Sequence, residues 1–312
     1  MKIMLSGIFE DKPIFRKILI LGGISAISSI ILLMTGAVVV RFVYGIDVLG
    51  DANSLSDLSD KTVMNAMRIL QVFSTGLGMF LIPALIAALL FDKKPATYLM
   101  VDRMPGIQTF LLTVALVFAL MPLINMIYAL NQQLILPDFL AGAEAWIKQK
   151  EDEMAKLTEA FLKMENAGDL IANILVIGVI TAIAEEFLFR GVIQKLFLQL
   201  TGNIHVAILL TSILFSAIHV QFYGFFPRLM LGMLFGYLLV WSGSLWVPVA
   251  GHMINNTGAV IFAWYASKHE LTFNHETIGS QSGEWWMVLL SVAGSAYFCY
   301  RIYVLNKSRG VA

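Results

Sequence analysis

Eight mostly apolar stretches, each at or near the length that crosses a bilayer, run along the chain at about 18–40, 69–91, 107–130, 170–194, 204–222, 227–242, 245–266 and 285–305. This pattern predicts an all-α fold: a polytopic membrane helix bundle of about eight transmembrane helices. The sixth stretch is short and glycine-rich, so its ends are the least definite. The first follows Arg16-Lys17 and continues from Ile18 to Val40, too long for a signal-peptide core and closed by Arg41 without a small-residue cleavage pattern, which predicts a retained anchor. Between the third and fourth stretches, Ala143 to Met164 is charged, with Trp146, Ile147, Met154, Leu157, Phe161 and Met164 recurring at helical spacing. It predicts an amphipathic helix over about 139–165, lying on the outer membrane interface; a solvated connector helix would carry the same pattern. With no internal repeat or Pro/Ser-rich linker, residues 1–312 read as a single membrane domain.

Composition agrees with the pattern: 58% of residues are hydrophobic and 13% charged, with a mean hydropathy of +0.79, whereas a soluble domain carries about a quarter charged residues. Net charge is zero and no Lys/Arg block stands out, so nucleic acid is not an expected partner. The lipid bilayer is. Cys299, the single cysteine, excludes an intrachain disulfide and any multi-cysteine metal site. With the N-terminus inside, more Lys and Arg fall on the cytoplasmic side, among them Lys2, Lys12, Lys93, Lys94, Arg190 and Arg309, than outside, where Arg41, Lys148, Arg228 and Lys268 are placed. This predicts a cell-membrane protein with both termini cytoplasmic.

The doublet Glu185-Glu186 interrupts the apolar run from Leu170 to Phe189. A carboxylate at membrane depth costs roughly 2.5–3.5 kcal/mol even on permissive scales, so an intramembrane acid is first read as functional. On a helix, Glu186 and Arg190 stand at i and i+4 and can pair. Glu185 is rotated about 100° away and must find partners on other helices, which suits a general base; a structural ion-pair cluster locking helices together is the competing reading. His219 shares a helical face with Phe215, and His252 with Asn256. Either histidine alone reads as a packing residue, but three neighbouring stretches each offer polar groups in a medium without water, and one shared internal cavity satisfies them all. Pro248 fits the first turn of a helix, setting His252 about one turn in and Asn256 about two. His269 and His275 fall in the polar loop before the last stretch and read as solvent-exposed, while Gly224, Gly232 and Gly236 read as close helix-packing positions. In straight spans Glu185 lies near the midplane and His219 nearer the outer end. For them to meet, some helix must tilt, break or extend: the fifth stretch begins later and runs to about Phe225, or the segment 195–203 is itself partly immersed.

Glu185-Glu186-x-x-x-Arg190, then Phe215-x-x-x-His219, then His252-x-x-x-Asn256 with its Gly-Ser-Leu-Trp-Val-Pro lead-in, resembles the signature of the CPBP (Abi) family of intramembrane proteases, which includes the type II CAAX prenyl endopeptidases. The resemblance covers about 170–260. It implies a hydrolase: a CAAX-type membrane endopeptidase, metallo- or glutamate-type, whose partner is a membrane-anchored protein or peptide. The catalytic set it implies is Glu185, Glu186, Arg190, His219, His252 and Asn256, with Glu185 and His219 activating water, and His252 and Asn256 either stabilising the oxyanion or coordinating a metal. Two versions follow. Without a cofactor, Glu185 assisted by His219 deprotonates water; with Zn2+, the metalloprotease version, Glu185, His219 and His252 are ligands and no obvious base remains. A proton-coupled transporter or a non-catalytic scaffold with a buried Glu/His cluster is the alternative to a protease.

Overall fold

The computed structural model describes residues 6–51, 53–269, 277–281 and 283–308. Expectations placed on Lys2, His275 and Arg309 lie outside these residues. The described residues form helices and no strands: α1 (Ile14–Tyr44), α2 (Lys61–Phe91), α3 (Pro95–Leu99), α4 (Ile107–Gln132), α5 (Ala141–Leu162), α6 (Ala167–Thr201), α7 (Ile204–Ala217), α8 (Phe225–Ser242), α9 (Trp246–Lys268) and α10 (Trp285–Lys307). Six of them, α1, α2, α4, α6, α8 and α10, are long and apolar enough to cross a membrane. All eight predicted stretches are helical. Of the two outside the six, α7 has 14 residues, short of the roughly 20 that span, and α9 has the length but carries His252, Asn255 and Asn256 within its apolar run. Outward surfaces are greasy, as on α1, where Phe15, Ile27, Ile31 and Phe42 are exposed. A helical, multi-pass integral membrane protein is the architecture these surfaces require.

The helix that bears the acidic doublet is built in pieces. An Asn166/Asp169 capping box starts α6, and Gly202, at φ 66°, ends it in the left-handed conformation. Between them, Thr181–Leu188 is flanked by two π-helical stretches, Ile174–Ile180 and Phe189–Ile193; such wide turns re-aim side chains and gather at functional sites. From Glu185, α6 runs on to Thr201, and α7 returns from Ile204 to Ala217 antiparallel to it. At 1.5 Å per residue the run from Glu185 to Thr201 is roughly 24 Å and the return from Ile204 to Ala217 roughly 20 Å, and the turn that follows brings His219 Nε2 to 3.9 Å from Glu185. The expectation that the fifth stretch continues to about Phe225 is corrected: α7 stops at Ala217, and the chain reverses through 218–224 with Val220 at φ 52°.

Helix α9 is held at its start by the lead-in. Leu245 N–H donates to the Met100 carbonyl at 3.0 Å, Trp246 Nε1 to that of Val101 at 3.0 Å and Ser244 Oγ to that of Arg103 at 2.6 Å. Beside these bonds Leu245 and Val249 join Phe80, Leu99, Phe187 and Phe189 in a core that locks α2, α6 and α9 together. The amphipathic helix forms as α5, with Phe161 buried and Ile147 and Leu157 half-buried, while Trp146 and Met154 remain exposed.

Candidate active site

Glu186 and Arg190 form the i,i+4 ion pair, Nη1 to Oε1 at 2.9 Å, with no exposure of either side chain. The guanidinium lies over the ring of Phe215 at 4.5 Å and of Phe235 at 5.6 Å, and its Nη2 donates to the Gly232 carbonyl at 3.2 Å. One turn on, Gln194 Nε2 donates to the Gly236 carbonyl at 3.3 Å. Helix α6 thus grips the glycine face of α8. Gly232 and Gly236 are the close-packing positions expected of them: a Cβ on Gly236 would meet Gln194 Oε1 and Ile208 Cγ2 at 2.9 Å each.

The two histidines converge on the other acid. His252 Nδ1 lies 2.8 Å from Glu186 Oε1, and because a carboxylate only accepts, Nδ1 carries a proton and, in the neutral ring, Nε2 keeps a lone pair. That Nε2 is 3.8 Å from Glu185 Oε2. His219 repeats the arrangement: Nδ1 is 2.7 Å from the Phe215 carbonyl, which also only accepts, and Nε2 is 3.9 Å from Glu185 Oε1. Both gaps exceed a hydrogen bond and are short enough for one small polar molecule to bridge. Ring packing fixes the orientations, with Phe235 stacked on His252 at 5.3 Å and Phe215 edge-on to His219 at 5.1 Å.

The reversal that carries His219 is braced from three helices. Asn131 on α4 donates to the Phe222 carbonyl at 3.1 Å and accepts from Phe226 N–H at 3.0 Å; Ser216 Oγ donates to the Phe225 carbonyl at 2.7 Å. Glu151 on α5 accepts from Tyr223 N–H at 2.7 Å, and its partial burial pushes its carboxyl above the ordinary carboxylate range.

Glu185, His219, His252 and Asn256 line one cavity of about 220 Å3, joined by three polar residues that the sequence pattern does not place there, Thr181, Arg228 and Asn255. Glu186 and Arg190 stand behind its wall. Arg228 was assigned to the outer surface with the loop charges, although its position in the first turn of an apolar helix was a signal of the same kind as Glu185. Asn256 Nδ2 donates to the Ile177 carbonyl at 3.1 Å, and its Oδ1 accepts from Asn255 Nδ2 at 3.2 Å. His269 is exposed, as expected. Helices α4, α8 and α9 enclose a larger and mostly apolar cavity of about 680 Å3 that shares Arg228, Leu231 and Asn255 with the smaller one. Glu185 and both histidines line the smaller.

Glu185, His219 and His252 match a His/His/Glu zinc set in kind, and each histidine holds its Nδ1 on an acceptor, as ligating histidines do. Among the described residues, however, no three His, Cys, Asp or Glu side chains close to a metal-holding group.

Comparison with known proteins places this geometry. The family model described as type II CAAX prenyl endopeptidase Rce1-like matches residues 167–258, the span from the first residue of α6 to two residues beyond Asn256, so all three motifs fall inside it. This segment is similar to the Rce1-like type II CAAX prenyl endopeptidases. Two Bacillus subtilis (strain 168) proteins are similar over parts of the chain. The protein named "Putative membrane peptidase YdiL" is 30% identical over 104 residues, 33% of this chain and 41% of that protein. YpbD, named an uncharacterized protein, is 31% identical over 88 residues, 27% of this chain and 42% of the relative. The matched region is therefore less than half of either relative's length. No solved structure matches the chain. The matched segment supplies the acid doublet and both histidines, while the Asn131 and Glu151 braces on the His219 turn come from α4 and α5, outside it.

Proposed function

We propose that this protein is a membrane endopeptidase that hydrolyses a peptide bond of a membrane-associated substrate, with water activated by Glu185. The observation that carries the reading is the convergence of two histidine Nε2 lone pairs on the Glu185 carboxylate, at 3.9 and 3.8 Å, inside a polar cavity of a membrane bundle. The Rce1-like match and the peptidase name of one relative support it.

In this mechanism a water molecule donates one hydrogen to the His219 Nε2 lone pair and the other to Glu185, which takes that proton as the water oxygen adds to the scissile carbonyl carbon. The tetrahedral adduct collapses, the C–N bond breaks, and Glu185 returns the proton to the departing amine. Glu186 and Arg190 act one layer back: the carboxylate fixes the tautomer of His252, and the guanidinium neutralises that carboxylate. Asn256 is proposed to position the α6–α9 contact through Ile177 and to share in stabilising the adduct. Zinc, when bound, would be held by Glu185, His219 and His252 and would polarise the same water and carbonyl.

The substrate proposed is a prenylated, CAAX-like peptide, its apolar portion accommodated in the 680 Å3 cavity beside the catalytic one. Purified protein incubated with a farnesylated CAAX peptide and with a panel of single-span proteins in 18O water tests the reading. Cleavage should place one 18O in the new carboxylate; intact substrates throughout would reject endoproteolysis. The proposed setting is the cell membrane with both termini cytoplasmic, and epitopes at the two ends should be reached only after permeabilisation.

A further inference from the structure

Arg228 borders three cavities: the Glu185 cavity, the 680 Å3 apolar one, and a polar one of about 480 Å3 beneath α5 that Gln132, Glu144 and Glu151 help to line. It stands where both larger spaces meet the catalytic one. Its guanidinium donates to Gln221 twice, through Nη1 to the main-chain carbonyl at 3.3 Å and through Nη2 to Oε1. Among the described residues it is the cationic side chain on the cavity wall, and two of its five N–H groups are committed to Gln221.

Proteolysis by added water places a negative charge on the former carbonyl oxygen, and preorganised donors aimed at that charge usually supply the largest catalytic contribution. The cavity's other polar groups have less to offer that charge. The Thr181 hydroxyl donates to the Val176 carbonyl at 2.9 Å. Asn256 and Asn255 each have one of two amide protons engaged, and the neutral amide that remains binds an anion more weakly than a guanidinium does. The Nδ1 protons of His252 and His219 point to Glu186 and Phe215, away from the substrate side, and their Nε2 atoms carry lone pairs. A charged donor with free N–H groups remains at Arg228.

We infer that Arg228 is the oxyanion-binding residue of this site, an inference that rests on the water-activation reading above. As water adds to the scissile carbon, the C=O electron pair moves to oxygen, and the guanidinium N–H groups meet that charge. When the pair returns, the C–N bond breaks and the amine leaves with the proton that Glu185 took from water. The same guanidinium stabilises the charge only after it develops, so it acts on turnover more than on substrate affinity.

The experiment compares wild type with Arg228→Gln, Arg228→Lys, Gln221→Leu and Glu185→Gln. Turnover is read on the farnesylated CAAX peptide, and melting temperature is read with and without a peptidyl phosphonate, whose tetrahedral anion mimics the adduct. Arg228→Gln should lower kcat about 10²–10³-fold, as loss of one oxyanion donor does, with KM changed only a few-fold, and Arg228→Lys should recover part of the loss. The phosphonate should stabilise wild type and Glu185→Gln but not Arg228→Gln. Gln221→Leu, which removes the brace but keeps the charge, should fall far less than Arg228→Gln. Equal phosphonate stabilisation with and without Arg228, no stabilisation of wild type, or an equal loss in Gln221→Leu overturns the inference. Because phosphonate binding does not need the base, an active Glu185→Gln would fault the water-activation reading while leaving the Arg228 comparison readable.

Discussion

Arg190 bears the heaviest structural duty of any side chain near the site. It neutralises Glu186 at 2.9 Å and donates to α8, with no exposure, inside a ring of Phe215, Phe235 and Phe189. Breaking a buried pair by removing one partner leaves the other charge uncompensated and costs about 3–5 kcal/mol. Arg190→Ala should therefore lower the melting temperature in detergent together with activity; a variant as stable as wild type that has lost only catalysis would move Arg190 from support to substrate binding. At the same scale stands the metal. The histidine tautomers suit a bridging water and a zinc ion alike, but a Glu185 that ligates zinc cannot also be the base that the water route needs. Activity is accordingly expected to survive exhaustive chelation, checked by elemental analysis of active, chelator-treated protein. About one zinc per chain, with activity lost on removal and restored on return, would reassign Glu185, His219 and His252 as ligands.

Among the elements, α6 and α8 set the geometry, and they do so through small residues. The Gly236 position admits no side chain without displacing Gln194 or Ile208, and the Gln194 and Arg190 bonds to α8 depend on that close approach. Gly236→Leu should destabilise by about 1–3 kcal/mol, the range for overpacking a tight interior, and lower activity through the Arg190 contact; unchanged thermal unfolding would show that the helices are free to separate. These elements were largely legible in the chain, because hydrophobic length and the i,i+4 spacing of Glu186 with Arg190 follow from helix geometry alone. Other features were not. The reversal at 218–224 has a positive φ at Val220, a β-branched residue that gives no turn signal, so the helix bearing His219 read as longer than it is. The π-helical turns of α6 also leave no mark in the hydrophobic pattern. His252 was paired by spacing with Asn256, yet its shortest contact is to Glu186 on another helix, a relation between elements that spacing within one element does not carry.

At the scale of the whole molecule, the bundle surrounds a polar cavity with lipid-facing helices and supplies two braces of the His219 turn, Asn131 and Glu151, from α4 and α5, far in sequence from the motifs. Of the two carboxylates in α6, Glu186 is held by Arg190 on its own helix and by His252 on α9, whereas Glu185 faces the cavity with no partner within hydrogen-bond distance among the described residues. Its carboxylate is the group on which the proposed hydrolysis depends. The most direct measurement is turnover of the farnesylated CAAX peptide by purified Glu185→Gln, which preserves shape and removes the charge. Removing a general base costs about 10²–10⁴-fold, so the variant should be folded, inserted and at least about a hundredfold slower than wild type. A folded Glu185→Gln protein that retains more than about a hundredth of wild-type turnover would contradict the role given to Glu185.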